Sequence, residues 1–187
     1  MKELSLNILD IAMNSVKADA SNIGIHITET DTELKVIIED DGFGMSEETL
    51  SKVCDPFCTT RTTRRVGLGI PFYKLAAEQT GGNISITSKV REDFPDSCGT
   101  VVIAVFNKKH IDCLPLGDIV STVCTLIQGS PNVDFEFTHN SVSLSTKQLR
   151  EVLGPVPLSS PEVLVWIKEY LSEQYKELYK QKEGELL

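Results

Sequence analysis

Asp10, Asn14 and Lys17 fall at spacings of four and three within a stretch whose apolar residues Leu4, Ile8, Ile11 and Ala12 follow a helical period. The three therefore share one polar helix face. They offer a carboxylate that can polarise a water or hydroxyl, a neutral amide oxygen suited to a hard divalent cation, and an ammonium that can reach anionic oxygens. Farther on, Asp41-Gly42-Phe43-Gly44-Met45 follows an alternating apolar stretch. An ionised aspartate in that turn is acceptor-only, and the flanking glycines let the backbone pass close to a ligand. Gly67-Leu68-Gly69 comes just before a helix whose first turn suits Pro71, and unpaired N–H groups at such a terminus stabilise an anion.

These residues need elements to hold them. A helix over 4–16 leads into alternating stretches at Ile23, Ile25, Ile27 and at Leu34, Val36, Ile38, which read as a hairpin of half-buried strands. Ser46 with Glu47 and Glu48 reads as the cap and acidic first turn of a short helix. Residues 54–69 carry no period and read as a loop, the Pro71 helix runs to about Gln79, and strands follow at 84–88 and 100–106. Helices can then cover one face of a four-stranded sheet, an α+β two-layer sandwich over residues 1–107. From there the pattern restarts. A helix over 116–128, strands at 133–137 and 142–144, a helix capped by Ser145 or Thr146, and a long helix opening at Ser160-Pro161-Glu162 suggest a small second α+β domain over 108–187. Val163, Trp166, Ile167, Tyr170 and Leu171 on that last helix read as mostly core.

The chain has 187 residues, of which 18 are Lys or Arg and 27 Asp or Glu, for a formal net charge of -9. That balance argues against nucleic acid or an anionic membrane as the main partner. The longest apolar run, Val101 to Phe106, is far below the roughly 20 residues that span a bilayer, and Met1 to Asp10 has no apolar leader, so a cytoplasmic protein is expected. Five cysteines at irregular spacing read as free thiols.

Taken in order, the Asp10-to-Asn14 helix, DGFGM, PFCTTR, GLGI, GGNISITS and the GT that opens a strand resemble the GHKL superfamily over residues 4–106. The superfamily is named for DNA gyrase, the heat-shock chaperone, histidine kinases and MutL, and its ATP site is the Bergerat fold. The resemblance implies ATP and Mg²⁺ as ligands, with Asn14 carrying the metal and Lys17 near the phosphates. It makes Asp41 the reader of the adenine amino group, with Gly42, Gly44 and Met45 beside it. Thr60 and Arg61 would reach the γ-phosphate from the loop, with Arg64 and Arg65 as alternatives, while Gly67, Leu68 and Gly69 would hold the triphosphate and Thr100 would lie at the adenine end. Where the family usually has one more glycine before this box, the chain has Arg65-Val66.

Asp10 occupies the position at which ATP-hydrolysing members carry a glutamate general base and sensor histidine kinases usually carry asparagine. None of the three histidines, His26, His110 and His139, sits in an acceptor-like helix. The expectation is therefore an Mg-ATP protein of the histidine-kinase-like type that passes the γ-phosphate to a partner protein or hydrolyses it slowly. The alternatives are an ATP-gated interaction module and a thiol or metal sensor built on Cys54, Cys58 and Cys98.

Overall fold

The computed structural model describes residues 2–55 and 69–184. Helix α1 (Leu4–Lys17) buries Leu4, Ile8, Ile11, Ala12 and Ser15, the stripe that a 3.6-residue period aligns. Strands β1 (Asn22–Glu29) and β2 (Glu33–Asp40) form the expected hairpin, with Ile25 opposite Ile38 and Ile27 opposite Val36. Helix α2 (Glu47–Lys52) starts at Ser46, whose side chain accepts from the Thr49 N–H. Helix α3 (Gly69–Gln79) opens two residues before Pro71, which sits in its first turn where its missing N–H costs nothing. Strands β3 (Asn83–Lys89) and β4 (Gly99–Asn107) complete the first half.

The second half comprises α4 (Ile119–Gly129), β5 (Asp134–His139), β6 (Val142–Ser145), α5 (Thr146–Leu153) and α6 (Pro161–Gly184). Helix α4 begins later than its apolar period suggested, because the Asp118 side chain caps it by accepting from the Ser121 N–H. Strands β5 and β6 do not build a sheet of their own. They extend the first one into a six-stranded sheet of order β3-β4-β2-β1-β5-β6, in which β5 lies parallel to β1 with Ile23 opposite Phe135 and Ile25 opposite Phe137. In the segment 108–187, expected as a separate small domain, strands β5 and β6 and helices α4 and α6 instead share sheet and core with the elements of the first half.

The alternating residues Ile23, Ile25, Ile27, Leu34, Val36, Ile38, Val102, Ala104, Phe106, Phe135 and Phe137 face a helical layer and are buried against it. In that layer α1 packs between α3 and α4, and α4 packs on α6. Two further joints tie the halves together. The Leu4 and Ser5 N–H groups, orphaned at the start of α1, donate to the carbonyls of Pro115 and Leu116 at 3.0 and 2.8 Å. His139, fully buried at the end of β5, places Nδ1 2.8 Å from the Tyr175 hydroxyl and Nε2 3.4 Å from Glu29, which is itself 2.7 Å from Lys108. The outer edge of β6 is closed as well, since the Gln174 amide accepts from the Ser143 N–H and donates to its carbonyl, both at 3.0 Å.

On α6, Val163, Ile167 and Leu171 are buried as the sequence suggests. Trp166 and Tyr170, expected among the core residues, are instead exposed, because they lie about 100° away from the buried stripe.

Candidate functional site

Alternation along β2 puts Asp40 on the same face as Leu34, Val36 and Ile38, so its carboxylate enters the helical layer at the end of the strand. There Oδ2 accepts from the Ser15 hydroxyl at 2.5 Å, and Oδ1 accepts from the Gly42 N–H at 3.0 Å and the Thr100 N–H at 3.2 Å. Asp40 lies opposite Thr100 in the β2–β4 register, so the carboxylate is pinned between the last turn of α1, the start of β4 and the turn that follows β2. Two glycines make this corner possible. A Cβ on Gly42 would stand 2.7 Å from the Ala18 carbonyl and 3.0 Å from Asp40 Oδ1. Gly99 has φ +126°, and a Cβ there would lie 1.8 Å from the Asp40 carbonyl, so no other residue fits without moving β2 from β4.

The sequence reading placed Asp41 in this corner, and here the geometry corrects it. The Asp41 carboxylate turns to the opposite side, where it accepts from the Ser21 N–H at 2.7 Å, the Asn22 N–H at 2.9 Å and the Asn22 side-chain amide at 2.7 Å. Partial burial would raise its pKa, but the three hydrogen bonds outweigh burial and hold it below the ordinary carboxylate value of 3.8. A lowered folded-state pKa contributes stability that is complete above 3.8 and fades as pH falls through the lowered value. Asn22→Ala is therefore expected to destabilise the fold at neutral pH, with the difference from wild type shrinking in acid below 3.8. Denaturant midpoints at the two pH values check this, and a pH-independent difference would overturn it.

Other residues hold the same turn. The Met45 N–H donates to Ser88 Oγ at 2.8 Å, and Ser88 Oγ also lies 2.9 Å from Thr100 Oγ1. Gly44 sits between these anchors, and the Phe43 N–H donates to the Ala18 carbonyl at 2.9 Å. Arg91 reaches across from the β3–β4 connection to the carbonyls of Asp19 and Asp41 at 3.2 and 3.3 Å. The sequence reading passed over Ser15, Asp40, Ser88 and Arg91. Strand alternation singles out Asp40 and the helical stripe from Ile8 through Ile11 singles out Ser15, whereas the positions of Ser88 and Arg91 depend on strand pairing and loop course.

The second cluster lies along α1. Gly69, the first residue of α3, stands beside Asp10 and Asn14. A Cβ built on it would be 3.4 Å from Asp10 Cβ, 3.8 Å from Asp10 Oδ2 and 3.9 Å from Asn14 Nδ2. Among the described residues neither side chain has a hydrogen bond or ion pair, and Lys17 on the next turn makes no ion pair. A carboxylate and an amide, unpaired among the described residues, thus stand beside the N-terminus of α3, where backbone N–H groups lack helical acceptors, and the Lys17 ammonium follows one turn along α1. Thr60, Arg61, Arg64, Arg65, Gly67 and Leu68 lie outside the described residues, as does Cys58. Cys54 and Cys98 are free thiols, and no group of three or more His, Cys, Asp or Glu able to hold a metal ion occurs among the described residues.

Comparison with known proteins bears on the family and the fold. Sporulation kinase E of Bacillus subtilis is 33% identical over 90 residues, covering 48% of this chain and 12% of the kinase. The tetrathionate sensor histidine kinase TtrS of Salmonella typhimurium is 28% identical over 99 residues, covering 53% of this chain and 16% of its own. The chain therefore spans less than a fifth of the length of these curated relatives. Among solved structures, the MutL ATPase domain of Aquifex aeolicus complexed with ADP shares the fold at a TM-score of 0.54 and 12% identity, covering 82% of this chain and 69% of that one. Residues 1–110 match the family of histidine kinase-, DNA gyrase B- and HSP90-like ATPases, and with that match over more than half its length the chain belongs to this family.

Proposed function

We propose that this chain binds Mg-ATP at the corner where α1, β2, β4 and the start of α3 meet, and passes the γ-phosphate to a partner protein or hydrolyses it slowly. The observation that carries the reading is the Asp40 carboxylate, oriented by Ser15, Gly42 and Thr100 at one end of α1, with Asp10, Asn14 and Lys17 unpaired among the described residues along the same helix. Asp40 accepts the amino proton of adenine, a contact that a guanine carbonyl could not replace without leaving a buried acceptor unpaired. Thr100 and Ser88 fix that end, and Gly42, Gly44 and Met45 shape its wall.

Asn14 fits a magnesium ion. Its amide oxygen is a hard donor without a protein partner among the described residues, and Mg²⁺ needs only one or two such ligands when phosphate oxygens and water supply the rest. Bound there, the ion would neutralise charge on the phosphates. Lys17 places an ammonium on the same helix face, and the N-terminus of α3 at Gly69 offers N–H donors to the triphosphate, with Gly67, Leu68, Thr60 and Arg61 assigned to it by motif alone. Asp10, beside Gly69, is the carboxylate available to polarise a water or an acceptor hydroxyl. Among the described residues no helix is long and apolar enough to cross a membrane.

The direct test is calorimetry of the purified chain with ATP, with and without Mg²⁺. Saturable binding that tightens at least several-fold with Mg²⁺, a gain that Asn14→Ala abolishes while leaving the metal-free affinity unchanged, supports the assignment. Equal affinity with and without the ion would remove Asn14 from the metal site. A nucleotide-gated interaction module is the second reading, favoured by the Pro115 and Leu116 carbonyls that cap α1, since they join the nucleotide helix to the second half of the chain. It requires a partner whose affinity differs between the ATP and ADP forms.

A further inference from the structure

Helix α6 has two unlike faces. One is buried, and on the other Trp166 and Tyr170 are 47% and 39% exposed, with their rings stacked at a centroid distance of 5.1 Å and an interplanar angle of 11°. At about 100° per residue, Glu162, Glu169 and Glu173 fall on the same arc of the helix as the two rings, and all three are exposed. Beside the rings a cavity of about 290 Å³ opens against α5 and the β5–β6 end of the sheet, with Glu136, Ser143, Gln148 and Leu149 in its walls. The exposed Glu136 carboxylate makes no hydrogen bond or ion pair among the described residues.

An aromatic shelf alone accepts many apolar groups, but four carboxylates around it select among them. Ring faces carry negative charge density and attract cations, and the carboxylates add to that attraction. Phosphate, nucleic acid and anionic lipid are repelled, in keeping with the net charge of -9. Guanidinium is the cation that uses both features, because its plane stacks on an indole while its fork of N–H donors pairs with a carboxylate. Lys147 lines the neighbouring part of the open sheet face, beyond Glu136.

We infer that Trp166, Tyr170 and Glu136 form a docking surface for an arginine-bearing basic segment of a partner protein. The surface lies at the β5–β6 end of the sheet, separated by β1 from the β2–β4 corner, so it can be occupied independently of nucleotide.

Trp166 is the only tryptophan in the chain, so its fluorescence reports on this shelf in the full-length protein. The probe is a capped peptide of alternating glycine and arginine, compared with its citrulline counterpart, which keeps the shape of the side chain and loses the charge. The arginine peptide should give a saturable change that weakens in roughly 0.5 M salt, with the citrulline peptide at least about tenfold weaker. Glu136→Gln and Tyr170→Ala should each weaken the arginine peptide by about fivefold or more while ATP affinity and thermal midpoint stay at wild-type values. Equal response to the citrulline peptide, no saturable change, or indifference to both substitutions would overturn the inference. So would a signal that follows protein concentration alone, which would make the shelf a contact between copies of the chain.

Discussion

Asp40→Asn is expected to weaken ATP binding on the order of 100-fold, whereas Asp41→Asn should leave it within about threefold. Asparagine at position 40 keeps an acceptor oxygen for the Gly42 and Thr100 N–H groups, which hold Oδ1 at 3.0 and 3.2 Å, so the corner itself survives. What changes is the other side of the group. Oδ2, now 2.5 Å from the Ser15 hydroxyl and available to a base amino group, becomes an NH₂. A donor then faces a donor, which removes one charge-assisted hydrogen bond and leaves a part-buried polar group unpaired beneath the base, at a combined cost of about 3 kcal/mol. Asp41 has no such role, because its three hydrogen bonds are spent on Ser21 and Asn22 on the far side of the strand end. Calorimetry on both variants, with circular dichroism to verify folding, decides between them. Loss of binding in Asp41→Asn and retention in Asp40→Asn would return the adenine contact to Asp41.

The difference between neighbouring aspartates shows what was legible in the sequence. The DGFGM box located the turn to within a residue, but choosing between Asp40 and Asp41 required carrying the period of β2 one step further, from Leu34, Val36 and Ile38 to Asp40. That information was present in the residues. Helix α1, the first hairpin and the Ser46 cap were equally readable, because each is set by local period or by a side chain within four residues.

The continuity of the sheet was not. Strand β5 pairs with β1 across more than a hundred residues, and the alternation of Phe135 and Phe137 shows only that one face is covered, not which strand lies alongside. The same limit applies to Trp166 and Tyr170. An aromatic at helical spacing is read as core until the register of the whole helix is fixed by Val163, Ile167, Leu171 and Leu178.

Asp10→Asn should lower phosphate release from γ-labelled ATP by about 10²-fold while changing ATP affinity only a few-fold. Asp10 sits beside Gly69 at the start of α3 and next to Asn14, with no protein hydrogen bond or ion pair of its own among the described residues. It is placed to act on a water or hydroxyl near the phosphates, and among the described residues it makes no hydrogen bond or ion pair on which the fold depends. An aspartate reaches about 1 Å less far than a glutamate, so turnover in the wild type should already be slow, since proton transfer is efficient only when base and proton lie within hydrogen-bond reach. The carboxylate nevertheless remains the group able to accept the proton, and an amide at the same place cannot. If wild type and variant release phosphate at the same rate, Asp10 is not the base. If neither releases it while both bind ATP, the γ-phosphate is held for a separate acceptor, and transfer to a partner protein becomes the reaction to assay.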